Sequence, residues 1–224
     1  MAERSVLVTG GAGGLGGAVV ASFTAQGWRV VAPVRPASPD GRPPGGALVV
    51  PADLTDPEQV ATVVATAAGE PGAPLRAVVN LVGGYAGGGL VHETPVTDFE
   101  AMLRVNLRPT YLVTAAALPR LLEQGGAIVC VSSRAAVAPF PGAAGYITAK
   151  AAVLAFAGAV AVEYRGRGVR CNTVLPGVID TPANRAAQPD ADHRGWVAPA
   201  EIAEVIVFLA SDASAPVTGA TLPV

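Results

Sequence analysis

The sequence predicts one α/β domain over residues 1–224, built as a doubly wound parallel sheet with helices on both faces. Three observations predict it. Six short apolar runs alternate with longer helical patterns. The first run leads through a glycine-rich turn straight into an apolar helix. A chain of 224 residues at 51% hydrophobic content can bury one sizeable core.

Taken in order, "SVLVT" at 5–9 is a continuous apolar strand, as expected when both faces of a parallel sheet are covered. The glycine turn follows, and then a helix at 14–26. "RVVAPV" at 29–34 and "ALVVP" at 47–51 are the next two strands, separated by a loop at 35–46 rich in Pro and Gly. A helix at 57–68 precedes the strand "RAVVNLV" at 76–82, and one long helix at 98–123 precedes "AIVCVSS" at 127–133. A helix at 144–165, the strand "VRCNTVL" at 169–175 and a helix at 199–211 complete the pattern. The remaining Pro- and Gly-rich segments, 69–74, 83–95 and 176–199, fall between elements and read as loops.

Composition excludes several classes. A formal net charge of -2 with 14% charged residues leaves no basic stripe for a nucleic acid. The longest apolar stretch, 151–162, is shorter than the ~18 residues a membrane span needs, so no membrane association is expected. The amino terminus lacks the apolar core of a secretory signal, and a cytoplasmic location is the expectation. Cys130 and Cys171 lie in apolar runs, while His92 and His193 are isolated. Neither a disulfide framework nor a metal site is expected.

The strand, glycine turn and helix of "SVLVTGGAGGLGGAVVASF" stand in the order that brings a dinucleotide pyrophosphate to backbone N–H groups at a helix N-terminus. This is the Rossmann arrangement. Two glycine spacings are possible: Gly11, Gly13, Gly16, or Gly10, Gly14, Gly16. At the end of the second strand, where an acidic residue would meet a free ribose 2′-hydroxyl, the chain reads Pro33, Val34, Arg35. Without a carboxylate to repel a 2′-phosphate, and with a guanidinium to bind one, NADP is favoured over NAD. The competing reading of Arg35 is a solvated loop charge.

In "AAGYITAKAA" a helix puts Tyr146 and Lys150 one turn apart on the same face. A cation about 4 Å from a phenol, at an effective dielectric of about 20, favours the phenolate by up to roughly 4 kcal/mol. A surface tyrosine packed on a lysine stem is the plainer alternative. Ser133 emerges at the carboxyl edge of the sheet, where open α/β sheets bind ligands, and supplies a third converging group. Asn106 sits in a helical stretch next to Pro109, which cannot donate to the Val105 carbonyl and should kink the helix. That kink would leave backbone acceptors open to water.

Through "TGGAGGLG", "NLVGG", Asn106, Ser133, "YITAK" and "PGVIDTP", in matching order, the chain resembles the short-chain dehydrogenase/reductase family. The resemblance extends to the ending "VTGATLPV". It implies catalytic roles for Asn106, Ser133, Tyr146 and Lys150, with a water relay between Asn106 and Lys150. It also implies a nucleotide site drawn from Gly10, Gly13, Gly14, Leu15, Gly16, Arg35, Asp53, Leu54, Asn80, Gly83, Tyr146, Lys150, Pro176, Gly177, Ile179 and Thr181. Within "NLVGG", Leu81 and Val82 depart from the commoner Asn-Asn-Ala-Gly.

The implied activity is NAD(P)-dependent hydride transfer between the nicotinamide and a carbonyl or alcohol, with Tyr146 as acid/base. Tyr85, Phe140 and Trp196 are candidates to contact the substrate, and 177–198 is the substrate loop. The loops at 83–88 and 180–196 are also similar to those of dihydropteridine reductases, so a dihydropteridine or imine reductase is an alternative, as is a non-catalytic NADP(H)-binding sensor. Small residues along the helix from 144 (Ala151, Ala152, Ala155, Gly158, Ala159) suit close helix pairing, and a homodimer or homotetramer is expected.

Overall fold

The computed structural model describes residues 2–36, 41, 43 and 45–224. Its sheet has seven parallel strands in the order β3-β2-β1-β4-β5-β6-β7. They are β1 Ser5–Val8, β2 Arg29–Val34, β3 Leu48–Pro51, β4 Leu75–Asn80, β5 Gly126–Val131, β6 Val169–Leu175 and β7 Thr221–Pro223. The first six match the expected runs. The predicted strands 76–82 and 127–133 stop two residues early, where the chain turns out over the sheet edge. The loop expected at 35–46 lies partly outside the described residues.

The helices are α1 Gly14–Ala25, α2 Pro57–Ala68, α3 Val96–Asn106, α4 Arg108–Gln124, α5 Ala144–Tyr164, α6 Pro182–Ala187 and α7 Pro199–Ala210. The single long helix predicted at 98–123 is therefore two, meeting at Leu107. Pro109 has no N–H for the Val105 carbonyl, so the hydrogen-bond ladder breaks there. Helix α6 lies inside the predicted 176–199 loop, with Pro182 in its first turn and Thr181 as its N-cap, accepting from Asn184 N at 3.2 Å.

Alternation along β1 shows why the fold has two cores. Leu7 points to the face covered by α2, α4 and α5, where it joins Val63, Leu121 and Val153. Val6 and Val8 point to the face covered by α1 and α7, joining Val20, Phe23 and Ile206. Each fully buried side chain of this kind contributes about 1.5–3 kcal/mol relative to exposure. Cys130 and Cys171 are free, buried thiols within the first of these cores.

Together with the turn after it, α5 forms an apolar segment from Ala144 to Arg167 that is long enough to cross a bilayer, with a mean hydropathy of 1.6. The stretch is thus longer than the 151–162 run read from the sequence. It packs against α3, β5 and β6, and it carries a buried lysine, which marks it as a core helix.

Candidate active site

The glycine turn is tied down at both ends. Thr9 Oγ1 accepts the Leu81 and Val82 N–H groups at 3.0 and 3.2 Å and donates to Val79 O at 3.3 Å, joining the turn to the tip of β4. Gly10 has φ +68°, a left-handed conformation that favours glycine. A Cβ on Gly16 would stand 1.9 Å from Gly10 O, and one on Gly14 would stand 2.6 Å from Thr181 Cγ2. These contacts select the Gly10, Gly14, Gly16 spacing of the two the sequence allowed. Gly13 caps α1 without a side chain, and the first turn holds no acid. Gly13 N and Gly17 N are bonded to Gly10 O and Gly13 O, leaving the N–H groups of Gly14, Leu15 and Gly16 open at the helix end. A side-chain-free cradle with open donors fits a pyrophosphate.

Farther along the same edge, Arg35 is exposed just past β2. Asp53 accepts from Thr55 N at 2.9 Å and Thr55 Oγ1 at 2.8 Å, and these bonds, with a smaller contribution from the Arg35 charge, hold its carboxyl below the usual range. Leu54 is buried beside it. Asn80 faces inward: its Nδ2 donates to Thr114 Oγ1 at 3.0 Å, and its Oδ1 has no partner among the described residues. It ties β4 to α4, next to the strand tip that Thr9 holds.

Two adjacent serines at the end of β5 divide two tasks. Ser132 Oγ donates to the Lys150 carbonyl at 2.7 Å and anchors α5 on the sheet. Ser133 is extended and accepts from Ala135 N at 3.2 Å. Burial pushes the Tyr146 phenol above its ordinary value. Hydrogen bonding to Ser133 pulls it back in part, and the neighbouring Tyr85 raises it further.

Lys150 is buried. Desolvation lowers its amine to about 8, and Nζ donates to Val131 O at 3.2 Å. Nζ lies 5.9 Å from the Tyr146 ring centroid. The pair shares a face as expected; the amine donates to a strand carbonyl, and burial is the largest influence on both groups.

Asn106 is fully buried, so it is not a solvent-facing residue at a bend. Its Nδ2 donates to Gly84 O and Met102 O, each at 3.0 Å, and its Oδ1 accepts from Gly84 N at 3.1 Å. Thr110 Oγ1 donates to the Asn106 carbonyl at 3.1 Å, occupying one acceptor that the helix break exposes. A Cβ on Gly83 would meet Asn106 Oδ1 at 2.5 Å and Lys150 Nζ at 3.1 Å. Gly83 is therefore the point where asparagine and lysine converge.

Of the aromatic candidates, Tyr85 is brought edge-on to Tyr146, with centroids 5.1 Å apart, and stays largely exposed. Phe140 is exposed on the neighbouring loop, which Gly88 N joins through Gly142 O at 2.7 Å. Trp196 lies against His193 at 4.2 Å, and His193 in turn contacts Gln188 O at 2.9 Å and Arg185 Nη1 at 3.3 Å. This cluster braces the loop between α6 and α7.

Pro176 O accepts from Arg134 N at 3.0 Å, Gly177 N donates to Val224 O at 3.0 Å, and Ile179 bridges to Val197. Thr9, Thr114 and Ser132 are the structural supports that sequence reasoning missed; only the doubled serine of "VSS" hinted at one of them.

A cavity of about 1230 Å³ opens at the opposite edge, near Arg4, Trp28, Arg76 and Arg170, and contains none of these residues. There Arg170 donates to the Leu209, Ser211 and Val217 carbonyls around the end of α7. The carboxyl edge, where the glycine cradle, Ser133 and Tyr146 lie, is the chemically equipped one.

The family model described as enoyl-(acyl carrier protein) reductase matches residues 10–224. A 2-(R)-hydroxypropyl-CoM dehydrogenase from Xanthobacter autotrophicus is 35% identical, over 98% of this chain and 96% of the relative. A short-chain type dehydrogenase/reductase from Mycobacterium ulcerans superposes with a TM-score of 0.91 at 27% identity, covering 100% of this chain and 89% of the other. ElxO, solved with NADP bound, gives 0.88 at 27% identity, over 99% and 96%.

Proposed function

This chain belongs to the short-chain dehydrogenase/reductase family and is an NAD(P)-dependent oxidoreductase of carbonyl and alcohol substrates, and from that premise we propose how its residues divide the work. A bound nicotinamide supplies or accepts the hydride. Tyr146 gives a proton to the substrate oxygen in reduction and takes one back in oxidation, while Ser133 donates a hydrogen bond to the same oxygen. A phenol held above its ordinary value stays protonated at neutral pH, which suits the reductive direction. Lys150, with its amine near 8, exchanges protons readily near neutrality and orients the ribose. Asn106 keeps the 83–84 segment in place beside that amine.

In this reading Gly10, Gly13, Gly14, Leu15 and Gly16 hold the pyrophosphate, Asp53 and Leu54 flank the adenine, and Gly83, Pro176, Gly177, Ile179 and Thr181 border the nicotinamide. Arg35 at the end of β2, with Val34 where an acid would exclude a 2′-phosphate, favours NADP. Residues 1–224 act as one domain, with 177–198 as its substrate loop. Self-association uses α4 and α5, where the exposed Tyr111 and the half-buried Leu107, Ala152 and Phe156, with Leu103 of α3, line a groove of about 450 Å³; a solution mass that stays monomeric at all concentrations would contradict this.

The observation carrying the reading is the meeting of Ser133 and Tyr146 on the edge that also holds the glycine cradle. The test is NADH and NADPH oxidation, measured separately, against ketones, quinones, imines and dihydropterins, with Tyr146→Phe beside the parent. Loss of turnover by about a hundredfold or more, with nucleotide binding unchanged, is expected. A fully active Tyr146→Phe would remove the phenol from the reaction, and turnover confined to dihydropterins or imines would move the chain to that class.

A further inference from the structure

Arg134 follows Ser133 directly, at the start of the short 3₁₀ turn Arg134–Ala136. Its own N–H is bonded to Pro176 O at 3.0 Å, which pins the residue between the tips of β5 and β6. From there the side chain runs along the Pro176–Gly177 turn: a Cβ on Gly177 would stand 3.6 Å from Arg134 Cδ and 4.0 Å from Nη1. Glycine at 177 thus leaves the guanidinium lying against bare backbone, on the sheet edge that holds Ser133 and Tyr146.

The charge there is uncommitted. Arg134 is exposed and, among the described residues, paired with no carboxylate. The arginines of the substrate loop are engaged: Arg185 with Asp180 at 2.7 Å and Arg194 with Asp192 at 2.6 Å. The exposed side chains of the loops around this edge include the apolar Tyr85, Val137, Phe140 and Val178 beside the polar His92, Glu93, Gln188 and Asp190. A planar cationic fork without a carboxylate partner, next to Ser133, is a recognition element for a planar or tetrahedral oxyanion.

Resting on the reading of Ser133 and Tyr146 as the groups at the reacting oxygen, we infer that Arg134 is a specificity-determining residue that receives an anionic group, a carboxylate or a sulfonate, carried by the substrate a few atoms from its reacting carbon. The exposed Val137 and Phe140 on the same loop offer apolar surface for the intervening carbon chain.

The test compares matched pairs in NADPH-dependent reduction: acetoacetate with methyl acetoacetate, and 2-oxopropane-1-sulfonate with acetone, for the parent, Arg134→Ala and Arg134→Lys. The parent should favour each anion over its neutral partner by about tenfold or more in kcat/KM, chiefly through KM. Arg134→Ala should erase that preference while keeping the neutral rates within about twofold, and Arg134→Lys should restore part of it. The pair with the larger loss identifies carboxylate or sulfonate.

A parent with no preference, or an Arg134→Ala variant that slows both members of a pair alike, overturns the assignment and leaves the oxidoreductase reading standing. If no ketone of the four is reduced, that reading fails for simple ketones. Calorimetric titration of butyrate and propane-1-sulfonate into the NADPH-saturated protein then decides the Arg134 question: binding lost in Arg134→Ala supports it, and absence of binding overturns it.

Discussion

Replacing Lys150 by methionine should stabilise the folded chain while abolishing its activity. The amine is buried, and burial lowers it from the ordinary 10.5 to about 8. Between those two pH values the unfolded chain holds a proton that the folded chain has released, so the parent gains stability as pH rises through that window. Below about pH 8 both states carry the charge, and the folded state bears the whole desolvation cost. At about 1.4 kcal/mol per pH unit that cost is about 3 kcal/mol.

Methionine fills a similar volume without the charge. It forgoes the bond to Val131 O, worth about 1 kcal/mol, so Lys150→Met should gain about 2 kcal/mol at pH 7. Urea unfolding of the ligand-free chain at pH 7 and pH 10 measures this. The gain should shrink toward zero or reverse at pH 10, while turnover stays lost at both. A variant less stable than the parent at pH 7, or a gain that does not vary with pH, would refute the claim that charge burial dominates at this position.

Two further outcomes follow from the same geometry. Gly16→Ala places a methyl against Gly10 O, so nucleotide binding followed by fluorescence should weaken by about a hundredfold, with a stability loss of about 1–3 kcal/mol on urea unfolding. Asn106→Ala strands the Gly84 N–H and C=O groups, and a destabilisation of about 2–4 kcal/mol is expected, with hydrogen exchange at Gly84 accelerated; normal protection there would show that the side chain does not hold this segment.

Much of this fold is legible in the sequence because parallel strands covered on both faces leave uninterrupted apolar runs, and six of the seven do so here. The three residues of β7, Thr221–Pro223, are too short to leave a period. Helix α6 has six residues and hides in a loop rich in Pro and Gly. The α3–α4 break shows in Pro109, although the sequence suggests a kink where the chain makes two helices.

At the site, helical spacing puts Tyr146 and Lys150 on one face, but it cannot say that the amine donates to Val131 O. Nor can glycine spacing in a glycine-rich chain choose its register; the backbone twist at Gly10 and the crowding at Gly16 do so. The bond from Asn80 to Thr114 leaves no trace in the sequence because its partner lies 34 positions away, on α4.

The bond from Ser132 to the Lys150 carbonyl reaches the helix from underneath. Since the phenol and the amine ride on that one rod, its footing on the sheet sets the aim of both, independently of whatever the overhanging loops contain. Those loops can be recut for a molecule of another shape without re-aiming the proton donor.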